Sequence, residues 1–272
     1  PADFTQKKAD RSYFEIASNQ IPATIEKILD AAIRSGIPAR DIQVLAPMYR
    51  GAAGIDAINQ LMQELLNPLQ KGQISFEASQ FQYRSGDKVI HLVNDAEVNV
   101  FNGDLGYITD LIPAKYTESK QDEMMIDFDG NEVVYPRNEW YKIRLAYAMS
   151  IHKSQGSEFP VVFLPITSAS KRMLERNLIY TAITRAKSKL ILLGELQAFD
   201  YATKHIGTAR KTYLIERFSD LTESSEELNE PILEPTNQIN PHQSYRLTED
   251  NWTSIPAMIG ISQDDLDEFF GK

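Results

Sequence analysis

Two short polar stretches contain the residue types that could do chemistry. The first, Ser150-Ile151-His152-Lys153-Ser154-Gln155-Gly156-Ser157-Glu158-Phe159, sets a His, a Lys, a Gln, a Gly and a Glu just ahead of the apolar run Val161-Val162-Phe163-Leu164. Loops at strand edges are where α/β domains bind ligands. Gly156 lets backbone approach a ligand closely. Glu158 can accept hydrogen bonds from ribose hydroxyls, and His152 and Lys153 can touch a polyanion. The second stretch, Tyr180-Thr181-Ala182-Ile183-Thr184-Arg185-Ala186-Lys187, ends in a basic pair. An Arg projecting from a helix toward a nucleotide held by another domain stabilises charge on a transferring γ-phosphoryl group, an effect worth roughly 10³–10⁵ in rate. Taken singly, each residue is better explained as part of a polar surface loop or a solvated helix end.

The elements that must position these residues follow from periodicity. Ile21, Ile25, Ile28, Leu29, Ala32 and Ile33 share one helical face over 21–35, and Gly36 and Pro38 end the helix. Ile42–Ala46 reads as a buried strand stopped by Pro47. A second amphipathic helix runs through Ile58, Leu61, Leu65 and Leu66 to Asn67-Pro68. From residue 82 the pattern changes to short strands at 87–93, 105–112, 124–128 and 132–135, separated by Asn102-Gly103-Asp104 and Asp129-Gly130-Asn131. Helical α/β sequence then resumes, with a strand at 161–164, a helix over 171–187, a strand at 190–193 and helices near 196–205 and 208–218. The simplest arrangement is an α/β domain over 1–81 and 146–218, interrupted by a small antiparallel barrel or meander at 82–145. Residues 219–272 read as a linker and tail in which 255–270 places apolar residues among acids.

The charge distribution sharpens this division. The net charge is −10, yet residues 219–272 hold twelve acidic and two basic side chains, and residues 1–218 hold 26 of each. The body is therefore neutral and free to present a basic groove to phosphates. There is no cysteine, which excludes disulfides and thiolate metal sites and fits a cytoplasmic location. No apolar run approaches the roughly 18 residues of a membrane span. The start lacks a signal-peptide pattern and an initiator Met, so the chain is expected to begin partway through a longer protein.

In combination the two polar stretches are far more specific. His152 to Phe159, followed some way on by Tyr180 to Lys187, resembles motifs V and VI of superfamily-one helicases in the RecD branch, the family of the exodeoxyribonuclease V alpha subunit. Val44-Leu45-Ala46-Pro47-Met48-Tyr49-Arg50-Gly51, continuing through Asn59 to Asn67-Pro68, resembles that branch's motif IV region. Gly86-Asp87-Lys88-Val89-Ile90 and Phe101-Asn102-Gly103-Asp104-Leu105-Gly106 resemble the entry to its inserted SH3-like barrel. The resemblance covers about residues 12–218, with a weak echo at Pro256-Ala257-Met258-Ile259-Gly260. It implies a RecA-like second motor domain with an SH3-like insert, the C-terminal half of an ATP-driven 5′-to-3′ DNA helicase. Arg185 would be the arginine finger and Arg50 a second γ-phosphate contact. Gln155, Gly156 and Glu158 would face the nucleotide. His152, Lys153, Thr181 and Asn102 would lie near single-stranded DNA, gripped mainly through its backbone.

The family pattern is incomplete here. No G-x-x-x-x-G-K-[ST] loop is present, and no Asp-Glu pair (Asp122-Glu123, for example) follows a buried strand as a Mg²⁺ motif would. ATP and Mg²⁺ are thus expected to be held mainly by a first RecA-like domain of the same protein. The chain alone is expected to lack ATPase activity and to bind neither ligand appreciably. Further expected partners are single-stranded DNA and a protein docked on the acidic tail, with no membrane. A non-catalytic single-stranded-DNA-binding or protein-interaction role remains the alternative. Nuclease activity has no supporting carboxylate cluster.

Overall fold

The computed structural model describes residues 8–207. The helix expected near 208–218 and the acidic tail lie outside the described residues. In chain order the elements are β1 (Arg11–Glu15), α1 (Ile21–Arg34), β2 (Ile42–Ala46), α2 (Ile55–Leu66), β3 (Ser75–Ala78), β4 (Phe81–Arg84), β5 (Lys88–His91), β6 (Leu105–Ile112), β7 (Glu123–Phe128), β8 (Asn131–Pro136), β9 (Ile143–Leu145), β10 (Ala148–Ser150), β11 (Phe159–Ile166), α3 (Arg176–Ile183), β12 (Ala186–Gly194) and α4 (Leu196–Lys204).

The fold is mixed α/β. One five-stranded sheet, in the order β1-β12-β11-β2-β10, is parallel throughout. Its inner strands are apolar on both faces, as parallel strands covered by helices must be: all five residues of β2 are buried, and so are seven of the eight in β11. The second five-stranded sheet, β8-β7-β6-β5-β9, is antiparallel and lies in sequence between β2 and β10. Strands β3 and β4 form a separate hairpin. One continuous apolar cluster joins Ile42, Val44 and Ile58 of the parallel layer to Val89, Ile108, Met124 and Tyr135 of the antiparallel one.

Two buried polar groups fasten the layers. Asn59 of α2 donates to the Ala148 carbonyl (2.9 Å) and accepts from the Ala148 amide (2.8 Å), closing the outer side of the short edge strand β10. Asp87, just before β5, is fully buried and accepts from Gln63 (2.6 Å), Asn67 (2.8 Å), Tyr147 (3.0 Å) and the Arg84 amide (2.8 Å). Burial raises its carboxyl above the ordinary range, and the four donors pull the other way. The strand leaving the parallel layer and the one returning to it meet at this point, where the Ala146 amide donates to the Lys88 carbonyl at 2.8 Å.

The helix expected over 171–187 is shorter than periodicity suggested. Ser168–Met173 forms 3-10 turns, α3 occupies only Arg176–Ile183, and Ala186 and Lys187 already belong to β12. The reason is pairing: Phe159 lies opposite Ala186 in the parallel ladder, so the polar entry to β12 is held extended by its neighbour. Strand β1 and the β3–β4 hairpin were not anticipated from the sequence.

Candidate nucleotide and nucleic-acid site

The polar stretch 150–159 is a short crossover. It leaves the C-terminal end of β10, makes a 3-10 turn at Ile151–Ser154 and enters the N-terminal end of β11. Ser150 caps that turn by accepting from the Lys153 amide at 3.3 Å, and Ser154 is buried on the Ile151 carbonyl (2.7 Å). The stretch therefore reaches both edges of the parallel sheet and splits the candidate residues into two groups.

At the N-terminal edge of β11 and β12, Arg185 joins the two polar stretches. It sits in the turn after α3 rather than on the helix, and its guanidinium donates to the Ser157 carbonyl (3.0 Å), the Thr181 carbonyl (3.2 Å) and Thr184 Oγ1 (3.1 Å). Its own carbonyl accepts from the Phe159 amide at 2.8 Å. A guanidinium has five N–H groups, so this fork leaves donors for an anion without breaking the contacts that aim it. Glu158 is exposed and pairs with Lys187 at 3.4 Å. Gln155 and Gly156 are exposed beside it, and Gly156 adopts a φ of +88°, which a side-chain-bearing residue would adopt only under strain. Thr181 belongs to this group by position: its hydroxyl is turned back onto the Asn177 carbonyl (2.9 Å) while its carbonyl holds Arg185.

At the opposite edge, Lys153 donates to Asn102 Oδ1 at 3.1 Å, which links the crossover to the antiparallel layer. Lys153 and Arg144 both line a cavity of about 130 Å³ with Tyr49 and Ser150. Burial, and then the nearby Arg144 charge, lower the Lys153 ammonium below its ordinary pKa. Arg144 is paired with Asp56 (2.8 Å) and lies over the rings of Tyr49 (4.9 Å) and Phe81 (5.4 Å). It was missed in the sequence because a lone Arg in a strand gives no signal. His152 is exposed at the start of the crossover. Arg50 follows the C-terminal end of β2, and Arg185 precedes the N-terminal end of β12. In a parallel sheet these are opposite edges. Arg50 thus adjoins the edge of the sheet on which Lys153 stands. Among the described residues no group of three or more His, Asp or Glu converges to hold a metal ion.

Residues 58–128 match the family described as the ATP-dependent RecD-like DNA helicase SH3 domain, and residues 145–193 match the UvrD-like helicase C-terminal domain. The chain is RecD-like. The first match of this RecD-like chain opens inside α2 and stops before β8, so it is not coextensive with the antiparallel sheet. The chain is 36% identical over 176 residues to the ATP-dependent RecD2 DNA helicase of Deinococcus radiodurans, covering 65% of this chain and 23% of that protein. To the RecBCD enzyme subunit RecD of Mycolicibacterium smegmatis it is 29% identical, covering 56% of this chain and 25% of the relative. The RecD-like chain thus spans about a quarter of the length of these two relatives. A Pif1 helicase structure from Candida albicans overlaps with a TM-score of 0.40 at 19% identity, covering 76% of this chain and 60% of that one, a likeness too small to decide anything. Among the described residues no helix is long and apolar enough to cross a membrane.

Proposed function

We propose that this chain is the C-terminal motor half of an ATP-driven helicase that moves 5′ to 3′ along single-stranded DNA. The observation that carries the reading is the hydrogen bond from Arg185 to the Ser157 carbonyl. It draws the two polar stretches into one pre-aimed cationic fork at a sheet edge, flanked by Glu158 and the open Gly156.

In this reading residues 1–81 and 146–218 form a RecA-like second motor domain, 82–145 an inserted SH3-like barrel and 219–272 an acidic tail that docks a protein partner. Arg185 is the arginine finger, and Gln155, Gly156 and Glu158 face the nucleotide. His152, Lys153 and Asn102 contact the sugar-phosphate backbone, joined by Arg50 on the same edge. Thr181 acts through its carbonyl, as a support for Arg185. The residues present fit one face of an ATP site. They supply a cation for γ-phosphate charge and a carboxylate for sugar hydroxyls, but no loop of backbone amides to cradle phosphates. ATP and Mg²⁺ would be held mainly by a first RecA-like domain.

The test uses the complete helicase. Arg185→Ala is expected to remove DNA-stimulated ATP hydrolysis by about 10³-fold or more while ATP binding stays within a few-fold. The isolated chain is expected to show negligible turnover. Undiminished hydrolysis by the variant, or robust Mg²⁺-dependent turnover by the chain alone, would overturn the reading.

A further inference from the structure

Lys88 is buried where the antiparallel layer joins the parallel one. Its ammonium donates to Gln43 Oε1 (2.9 Å) and to the Arg40 carbonyl (3.4 Å), both neutral groups, and lies 5.6 Å from the centroid of the Phe159 ring. No carboxylate is bonded to it, and the nearby Asp41 charge only partly offsets its burial; such a lysine is costly, and an apolar residue of similar length would fill the same space without burying a charge. The burial therefore calls for an account beyond packing.

Phe159 supplies one. It is the last residue of the polar crossover and the first of β11. Its amide is bonded to the Arg185 carbonyl, and two residues earlier the Ser157 carbonyl receives the Arg185 guanidinium. The ladder between β11 and β12 is irregular between Phe159 and Val161, where Pro160 has no amide to donate. The Ser157 and Phe159 amides are bonded to the Ser154 and Arg185 carbonyls (3.1 and 2.8 Å), and beyond Phe159 the packing of its ring adds to what the irregular ladder supplies in holding the segment. The cation beneath that ring comes from the antiparallel layer, which also grips the crossover through Asn102 and Lys153.

We infer that Lys88 is a positioning residue for Arg185, acting through Phe159, so that the antiparallel insert helps to aim the cation at the nucleotide edge. The inference rests on the reading of Arg185 given above. Lys88 touches no reacting group. It holds the ring, the ring holds the Ser157 and Phe159 backbone, and that backbone holds both ends of Arg185.

The experiment compares Lys88→Met, Phe159→Leu, their double variant and Arg185→Ala in the complete helicase. Lys88→Met is expected to lower kcat for DNA-stimulated ATP hydrolysis about ten-fold, the size of a desolvated cation–π contact. KM for ATP and Kd for single-stranded DNA should stay within about two-fold, and Tm should change little, because relief of the buried charge offsets the loss of the donor to Gln43 Oε1. Phe159→Leu should lower kcat similarly, and the double variant should fall no further than the lower single. If Lys88→Met fails to fold, Lys88→Gln, which can still donate to Gln43, is read in its place against the same criteria. A kcat near that of the unaltered protein, or additive losses in the double variant, would overturn the inference while Arg185→Ala still abolishes turnover. Survival of turnover in Arg185→Ala would instead remove the underlying reading.

Discussion

Arg185 donates through one terminal nitrogen to the main-chain oxygen of Ser157, 3.0 Å away and 28 residues earlier in the chain. Backbone carbonyls cannot be mutated away, so the fork's geometry depends on Arg185 having a planar, multi-donor head. Lysine supplies the charge but only a compact ammonium. Arg185→Lys in the complete helicase is therefore expected to recover little of what Arg185→Ala loses, with kcat still down by about 100-fold or more. Steady-state hydrolysis with saturating DNA measures this, and a lysine variant within ten-fold of normal would show that charge alone suffices.

Asn59 meets both polar groups of Ala148, and no other residue type of similar size offers a donor and an acceptor in that geometry. Asn59→Ala is expected to cost about 2–4 kcal/mol, from two buried backbone groups left without partners. Asn59→Asp should also be destabilising at neutral pH, since a carboxylate cannot donate to the Ala148 carbonyl. Urea denaturation of this chain gives both values; a loss below about 0.5 kcal/mol would mean that water replaces the side chain.

Lys88 gives a pH signature. Burial lowers its pKa to about 8 from the ordinary lysine value of 10.5. A base whose folded pKa is depressed destabilises the fold fully below the folded value, and the cost is relieved as pH rises toward the unfolded value. Between pH 8 and pH 10.5 the unfolded chain binds more protons, so this group's contribution to stability rises with pH by up to about 3 kcal/mol. Lys88→Met should lack that rise. Parallel urea curves for both proteins across pH 8–10 isolate the difference, and superimposable pH dependences would show that Lys88 is solvated in solution.

Lys153 and Asn102 join two layers at the edge assigned to DNA. Lys153→Ala should weaken single-stranded-DNA binding by this chain for all sequences alike and reduce the slope of log K against log salt by about 0.7, the value for one phosphate on a single strand. Asn102→Ala, which removes no charge, should leave the slope unchanged. Fluorescence anisotropy over a salt series checks both; an unchanged slope for Lys153→Ala would remove this lysine from the interface.

Much of this architecture was legible before the fold was known. Strand β2 and helix α1 announce themselves through unbroken apolar sequence and helical spacing ended by Gly36 and Pro38. Strand β6 is bounded by Asn102-Gly103-Asp104 ahead of it and Pro113 after it. The β3–β4 hairpin was hidden because its turn is Ser79-Gln80, with Ser79 at a φ of +57° where Asn or Gly would have given the signal. Strand β1 was hidden because it is an edge strand with a half-exposed, polar face. At the site, residue types revealed the two polar stretches, but sequence order could not show that they touch through Ser157. Nor could it show that Arg50 stands at the far edge, because which edge of a parallel sheet a loop occupies depends on strand direction in three dimensions. Asp87 and Lys88 read only as the start of a strand, since the separate burial of two adjacent ionisable side chains is invisible to periodicity.

The neck at Lys88 and Ala146 also bears on the order of assembly. Strand β10 must find β2 across a long stretch of chain, and the entropy of closing that loop delays such pairings. The antiparallel insert consists of β-strands joined by local connections, and its completed sheet brings Ala146 back to Lys88. Once formed, it removes the stretch from Lys88 to Ala146 from the loop that separates β2 from β10, leaving the segment between Ala46 and Lys88, and brings β10 nearer its partner. The insert would then serve as a folding template for the layer that it interrupts. A methyl group at Gly106 would lie within 2.7–2.8 Å of atoms of Asp127, Ile126 and Phe128, so Gly106→Ala damages the insert alone. If the template account holds, that substitution slows refolding of the parallel sheet as well, rather than only hastening unfolding.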